Sequence, residues 1–140
     1  MLTVELNILH WRGLTELTYR DYAPLALINC DSAALFVRHD ASFATLADLE
    51  TAVRTRPGAY KVSGTAHGGV WHIAWAGWLN TRGIDASAAP WISINGAGQS
   101  LQELMAGGVD VVCCSLPEAD ALLSAGKVRC LGVMADERVA

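Results

Sequence analysis

From residue 45 onward, short apolar runs alternate with amphipathic segments, and this alternation is the main structural signal in the chain. Short apolar runs are typical of buried strands, whereas apolar residues three, four and seven positions apart indicate helices that bury one face. The pattern predicts the order α-β-α-β-α-β-α-β. The predicted helices begin at Thr45 and then cover 69–82, 97–106 and 117–124, and the predicted strands cover 60–64, 90–94, 109–115 and 128–134.

The first of these helices has a clear start. Thr45 is a good N-cap, and Asp48 lies three residues later, where its carboxylate can accept from the N–H of Thr45 in a capping box. Leu46, Leu49 and Val53 then give a buried stripe along one face.

The residues before this helix have a weaker pattern. Residues 1–22 are predicted to form a connector with one helical turn, and the apolar runs at 24–29 and 34–39 are predicted to be strands. We therefore divide the chain into a connector over 1–22, an α/β lobe over 23–135 and the start of a return connector over 136–140. The sequence patterns at both ends suggest that the chain is a segment of a larger protein.

Strands that alternate with helices favour an α/β fold with three layers, in which a mostly parallel sheet is flanked by helices. Ligands of such sheets bind beyond the carboxyl ends of the strands. The relevant strand ends are predicted at 63–69, 95–99 and 115–117.

Composition narrows the class of protein further. The chain has 140 residues, of which 52% are hydrophobic and 17% charged, and its formal net charge is −4. The basic residues are scattered singly, so nucleic-acid binding is not expected. The high apolar content suggests that something outside this chain covers part of its surface. No signal peptide and no membrane-spanning run is recognised, so the chain as written would stay in the cytoplasm.

The segment 60–72 carries the strongest functional signal. A strand breaks into a loop of small residues that opens a helix, and such a loop presents backbone N–H groups to an anion at the positive end of the helix dipole. A carboxylate is the expected ligand, and the alternative is that the two glycines only permit a tight turn. The candidate ligand-binding residues here are Thr65, Ala66, His67, Gly68, Gly69, Val70 and Trp71.

The side chains around this loop have structural alternatives. His67 is either a donor to the ligand or a solvated loop residue. His72 is better explained by a hydrogen bond back to the loop backbone. Trp71, Trp75 and Trp78 form a stripe that is more typical of core than of a binding surface, although Trp71 lies close enough to the loop to contact a ligand.

A second loop and a strand end complete the candidate site. Gly96, Ala97, Gly98 and Gln99 form a loop before a helix and are expected to shape the pocket, and Ser115 ends a strand where its hydroxyl could donate to the ligand. The glycines do not form a dinucleotide fingerprint, because the third glycine and the later acidic residue are missing. Neither a Walker loop nor a nucleophile elbow is present. No cofactor is predicted.

The histidines and cysteines suggest a different class, a small α/β enzyme with a Cys–His pair. The thiols of Cys113 and Cys114 lie in an apolar strand, however, where a reactive thiol is not expected. No pair of cysteines has the spacing of a zinc site, so no metal is predicted. A third class is a protein-interaction fragment, which would associate with itself or with another chain through its apolar surface.

An ordered series of short motifs resembles the extracytoplasmic solute receptors of tripartite tricarboxylate transporters, the Bug-type receptors. Each motif alone is weak, but the set covers nearly the whole chain. In chain order, the matching stretches are the aromatic-x-Pro-apolar run at 22–28, TLADL at 45–49, Pro57-Gly58, the Gly/Ser/Thr-rich loop and its His at 63–72, Ile73-Ala74, the Gly96 and Gly98 loop with Leu101 and Leu104, GGVDV at 107–111, AGKVR at 125–129 and Glu137-Arg138.

The resemblance implies the second lobe of a two-lobed periplasmic binding protein of type II, which takes up a small organic acid without catalysis. It also implies a periplasmic location for the full-length parent, a first lobe outside this chain, and transporter subunits in the membrane as partners. The ligand loops of this lobe would correspond to 65–70, 96–99 and the strand end near Ser115. Gly69 or Val70 stands where the family usually has Ser or Thr, and this difference favours a less polar acid.

Overall fold

The computed structural model describes residues 3–139, and its centre is one open sheet of four strands in the order β2-β3-β1-β4. The strands are β1 (Ala33–Arg38), β2 (Val62–Ser63), β3 (Val111–Ser115) and β4 (Val128–Val133). β2 pairs with β3 in parallel, whereas β1 is antiparallel to both β3 and β4. β2, β3 and β4 therefore point in one direction, as the alternating pattern predicts, but the sheet is mixed rather than mostly parallel, because two of its three strand pairs are antiparallel. β1 precedes the first α-β unit in the sequence and lies between β3 and β4 in the sheet.

Helices cover both faces of the sheet. They are α1 (Leu6–Leu9), α2 (Leu46–Thr55), α3 (Val70–Thr81), α4 (Ala97–Ala106) and α5 (Leu116–Ser124), with 3-10 turns at Tyr19–Asp21 and Ala86–Ala88. α2 and α3 pack on the face that carries Leu35 and Val37, and α4 and α5 pack on the face that carries Ala34 and Phe36. The predicted three-layer α/β architecture is confirmed, with a separate buried core on each side of the sheet.

Local sequence signals explain where the helices begin. The hydroxyl of Thr45 accepts from the N–H of Asp48 at 3.2 Å, and the Asp48 carboxylate accepts from the N–H of Thr45 at 3.0 Å. The predicted capping box of α2 is therefore present.

The tryptophan stripe of α3 faces the core. Trp75 is buried and its ring stacks on that of Trp78, with 5.2 Å between the ring centroids. The interpretation of this stripe as core is correct.

Two predicted strands differ from the structure. The run 24–29 forms no regular element, and the side chains of Leu25, Leu27 and Ile28 are exposed, because no described strand lies beside it. The run 90–94 is reduced to a single parallel bridge between Val62 and Trp91. Pro90 cannot donate a backbone hydrogen bond, so this segment runs along the edge of the sheet.

Candidate functional site

The loop between β2 and α3 lies beyond the carboxyl end of β2, where the sequence predicts the site. Its start is fixed from two sides, because the backbone of Gly64 packs against the carbonyl of Cys113 and the Thr65 carbonyl accepts from the indole N–H of Trp91 at 2.9 Å. The methyl group of Thr65 fills the space beside Gly69. The loop is thus held rigidly against the neighbouring strands.

The protein itself uses three of the loop amides that were predicted to be free. The N–H of His67 donates to the Ser93 hydroxyl at 3.0 Å, and that of Gly69 donates to the Ala66 carbonyl at 3.0 Å. The N–H of Gly68 donates to Nδ1 of His72 at 2.9 Å. For these three amides the prediction of a free donor is wrong, because the loop folds back on its own hydrogen-bond acceptors.

The free donors are the amide of Val70, which was among the predicted amides, and those of the next two residues. Gly69 is the N-cap of α3 and provides no side-chain cap, and the first turn has no acidic side chain. The N–H groups of Val70, Trp71 and His72 have no hydrogen-bond acceptor among the described residues. Three donors at the positive end of a twelve-residue helix form an arrangement that favours an anion.

Two imidazoles and an indole flank this helix start. The His72 ring centroid lies 4.3 Å from that of His67 and 4.8 Å from that of Trp91. Partial burial lowers the pKa of His72, and the nearby His67 and Arg12 lower it further. The interpretation of His72 as a structural acceptor for the loop backbone is confirmed, whereas His67 is exposed and accessible to a ligand.

Arg12 is part of this environment, and sequence reasoning missed it. A Cβ built on Gly68 would lie 2.8 Å from Nε and 2.9 Å from Cζ of Arg12, so the arginine side chain lies directly on the loop. Nothing in the connector sequence marks this residue. Only the folding of the N-terminal segment brings it to Gly68.

The second predicted loop is the N-terminus of α4. Gly96 has φ of 110°, a conformation that glycine adopts most easily, and its carbonyl accepts from the N–H of Ser100 at 3.1 Å. Ala97 is buried, whereas Gly98 and Gln99 are exposed. A groove of about 460 Å³ runs beside this helix and is lined by Gln99 together with Ile92, Ile94, Gln102, Glu103, Gly108 and Val109.

The two predicted loops lie close together, whereas the predicted strand end at Ser115 is not part of the same site. Ser93 and Trp91 hold the first loop and lead directly into Gly96. Ser115, by contrast, is 1% exposed, and its hydroxyl donates to the Glu118 carboxylate at 3.0 Å. Ser115 is therefore the N-cap of α5, and the expectation that it donates to a ligand is corrected.

Trp71 also has mainly a packing role. Its half-buried side chain contacts the buried clusters on both faces of the sheet, so it closes the end of the sheet between them. Its backbone N–H, by contrast, has no hydrogen-bond acceptor among residues 3–139.

The burial of Cys113 and Cys114 argues against the alternative of a Cys–His enzyme. Burial raises the pKa of the Cys113 thiol to about 12, and burial also raises the pKa of Cys114. Such thiols are weak nucleophiles at neutral pH. Within residues 3–139, no group of three or more His, Cys, Asp or Glu side chains is arranged to hold a metal ion.

Comparison with known proteins identifies the family. Residues 8–140 match the family model described as tripartite tricarboxylate transporter family receptor, TctC. The chain belongs to this receptor family. A search of the curated proteins finds no match.

Several solved structures resemble this TctC chain. A TctC solute-binding protein from Polaromonas, solved without ligand, is 30% identical with a TM-score of 0.84, and the match covers 99% of this chain and 46% of that one. MatC from Rhodopseudomonas palustris with bound malate is 26% identical with a TM-score of 0.70, over 84% of this chain and 39% of that one. A second R. palustris protein, solved with adipate, is 25% identical with a TM-score of 0.70, over 77% and 35%.

The TctC chain thus corresponds to less than half of the length of each of these structures. Its fold as one lobe of a type II periplasmic binding protein is confirmed by these matches. None of the helices described over residues 3–139 is long and apolar enough to cross a membrane.

Proposed function

We propose that this chain is a ligand-binding lobe of a periplasmic receptor for small organic acids, and that it holds a ligand carboxylate at the N-terminus of α3. The observation that carries the proposal is the set of first-turn amides, Val70, Trp71 and His72, which have no acceptor among the described residues. A carboxylate oxygen can accept two or three such N–H bonds, and each is strengthened by the ligand's charge.

Three further observations support this function. Family membership places the chain among transport receptors, and two similar structures contain the dicarboxylates malate and adipate. Trp91 and Ser93, which precede the N-terminus of α4, hydrogen-bond to the first loop, so the two predicted loops lie close together. A first lobe outside this chain completes the cleft, and transporter subunits in the membrane are the partners of the full-length receptor.

The proposal is tested by titrating the isotope-labelled 140-residue chain with malate and adipate and recording backbone amide NMR shifts. We expect the largest shifts at Val70, Trp71 and His72, with a Kd in the millimolar range or weaker, because one lobe provides only one wall of the cleft. Adipamide, which is neutral, should produce much smaller shifts at these amides, because it lacks the charge that strengthens each hydrogen bond.

A pair of variants at one position separates the backbone donor from the side chain. Val70→Pro removes the N–H at the first helical position, where proline is well tolerated, and the extended conformation of Gly69 suits a following proline. Val70→Ala keeps the N–H. We expect Val70→Pro to weaken malate binding several-fold relative to Val70→Ala. The proposal would be contradicted if the two variants bound malate equally well. It would also be contradicted if malate shifted only amide resonances of residues away from α3.

A further inference from the structure

The loop before α3 is shaped by hydrogen bonds within its own segment, 65–72, but these bonds do not orient it toward the sheet. An example is the bond from the N–H of Gly68 to Nδ1 of His72, which only folds the loop back on the helix. Two described hydrogen bonds leave the segment, and both reach residues 91–93. The position of 91–93 therefore orients the loop.

The segment 91–93 has little backbone pairing of its own. It is linked to the sheet by the bridge between Val62 and Trp91, in which the N–H of Ile92 donates to the Val62 carbonyl at 2.7 Å. The next acceptor along this bridge is the Ile92 carbonyl, and it accepts from the Ser63 hydroxyl at 2.7 Å. A side chain thus supplies the bond that a backbone N–H would supply in a continuing ladder, at the point where β2 ends.

Ser63 belongs to a small buried polar network. Its side-chain oxygen lies 3.1 Å from that of Ser100, and both residues are 0% exposed. The Ser100 hydroxyl also lies 2.9 Å from the Gly96 carbonyl. The network joins the end of β2, the segment 91–93 and the first turn of α4. These parts cannot separate without leaving a buried hydroxyl unpaired, so the segment is firmly anchored.

The hydroxyl of Ser93 connects this anchored segment to the tip of the loop. It accepts from the N–H of His67 at 3.0 Å, three residues before Val70, the first helical residue of α3. Ser93 is exposed, so the loss of its hydroxyl would leave no cavity in either buried core. The effect of this side chain is therefore on the loop and not on the packing of the sheet.

We infer that Ser93 is a positioning residue of the carboxylate site, which acts through the N–H of His67. The inference rests on the proposed function and adds to it the contact that orients the first-turn amides of α3. Groups that bind a ligand must be held within about 0.5 Å of their productive positions by the residues behind them. Ser93 provides this support from the second loop without contacting the ligand.

The test uses the full 140-residue chain with malate as the probe, and compares the wild type with Ser93→Ala, Ser93→Thr and Ser87→Ala. Ser87→Ala is a matched control, because Ser87 is also exposed and its hydroxyl binds the Asp85 carboxylate instead of the loop. We expect Ser93→Ala to weaken malate binding about threefold to tenfold, which corresponds to the loss of one neutral hydrogen bond. Ser93→Thr keeps the hydroxyl and should restore the affinity, and Ser87→Ala should bind like the wild type.

A second measurement distinguishes positioning from a general loss of stability. All dissociation constants are measured at a temperature at which urea titration shows each variant to be folded. In the absence of malate, the amide resonances of Val70 and Trp71 should already be displaced in Ser93→Ala. The same resonances should lie close to their wild-type positions in Ser93→Thr and Ser87→Ala.

The outcomes separate the inference from the proposed function. If the wild type binds malate through α3 and Ser93→Ala binds equally well, the inference is wrong and the proposed function stands. The inference is also wrong if Ser93→Thr loses as much affinity as Ser93→Ala, because the hydroxyl is then not the group that matters. A wild type that binds neither malate nor adipate overturns the proposed function, and the inference with it.

Discussion

At the scale of single residues, His72 links the site to pH. Its Nδ1 accepts from the N–H of Gly68 at 2.9 Å, so the folded chain holds the ring in the neutral form with its proton on Nε2. Partial burial, His67 and Arg12 all lower the pKa of His72 below its ordinary value of 6.5. Protonation at Nδ1 would break the bond that shapes the loop.

This lowered pKa predicts a pH dependence of stability. As the pH falls below about 6.5, the unfolded chain binds a proton at His72 before the folded chain does, so the free energy of unfolding decreases. The contribution is fully present at neutral pH and is lost toward the folded-state pKa. We expect the urea midpoint of the wild type to fall more between pH 7.5 and 5.5 than that of His72→Asn. The asparagine amide oxygen can replace Nδ1 as the acceptor without titrating, so identical pH profiles would contradict the role of His72.

Residue-level inference from the sequence succeeded where the decisive contact is local. His72 and the loop amide that it binds lie in one short segment, so its structural role was predictable from spacing. Arg12 is remote in sequence from Gly68, and no sequence motif predicts the contact between them. Ser115 was misassigned because a serine at a strand end is equally suited to cap the next helix, and here Glu118 lies three residues on, where its side chain completes that cap.

At the scale of elements, the packing of β2 against β3 depends on Gly64. A Cβ on this residue would overlap the carbonyl oxygen of Cys113, which belongs to the rigid backbone of β3. Gly77 is a contrasting case. It lies on the exposed side of α3, where a Cβ would meet nothing within 4 Å.

Alanine substitutions at these two glycines should have opposite effects. We expect Gly64→Ala to lower the free energy of unfolding by at least about 2 kcal/mol, because β2 must move away from β3. Gly77→Ala should raise it by up to about 1 kcal/mol, since alanine has the higher helix propensity. Urea denaturation of both variants with the wild type provides the measurement. A Gly64→Ala protein as stable as the wild type would show that the two strands do not pack as described.

The elements themselves were predictable to different degrees. The helices were found because caps and apolar stripes are encoded within each segment, as at Thr45 and Asp48. The strand predicted at 90–94 is only a bridge, since whether an apolar run pairs depends on what lies beside it. The reversed direction of β1 could not be predicted either, because the alternating pattern begins only after it.

At the scale of the whole molecule, one apolar segment stands apart from both cores. Leu25, Leu27 and Ile28 are 99%, 84% and 79% exposed, and the segment that carries them forms no strand. Exposed apolar side chains that lie close together along the chain favour association through the hydrophobic effect. The high hydrophobic content noted in the sequence is thus partly explained by this segment.

This exposed segment predicts that the isolated chain associates with itself in a concentration-dependent way. Burying these side chains between two copies removes apolar surface from water at about 25 cal/mol per Å², which favours a dimer as the concentration rises. The double variant Leu25→Ser with Leu27→Ser should remain monomeric under the same conditions. Met105→Ser, which changes a partly exposed residue on α4, is the control and should associate like the wild type. Sedimentation velocity over a range of concentrations distinguishes these outcomes. If the double variant and the wild type sediment alike at every concentration, the segment does not drive association.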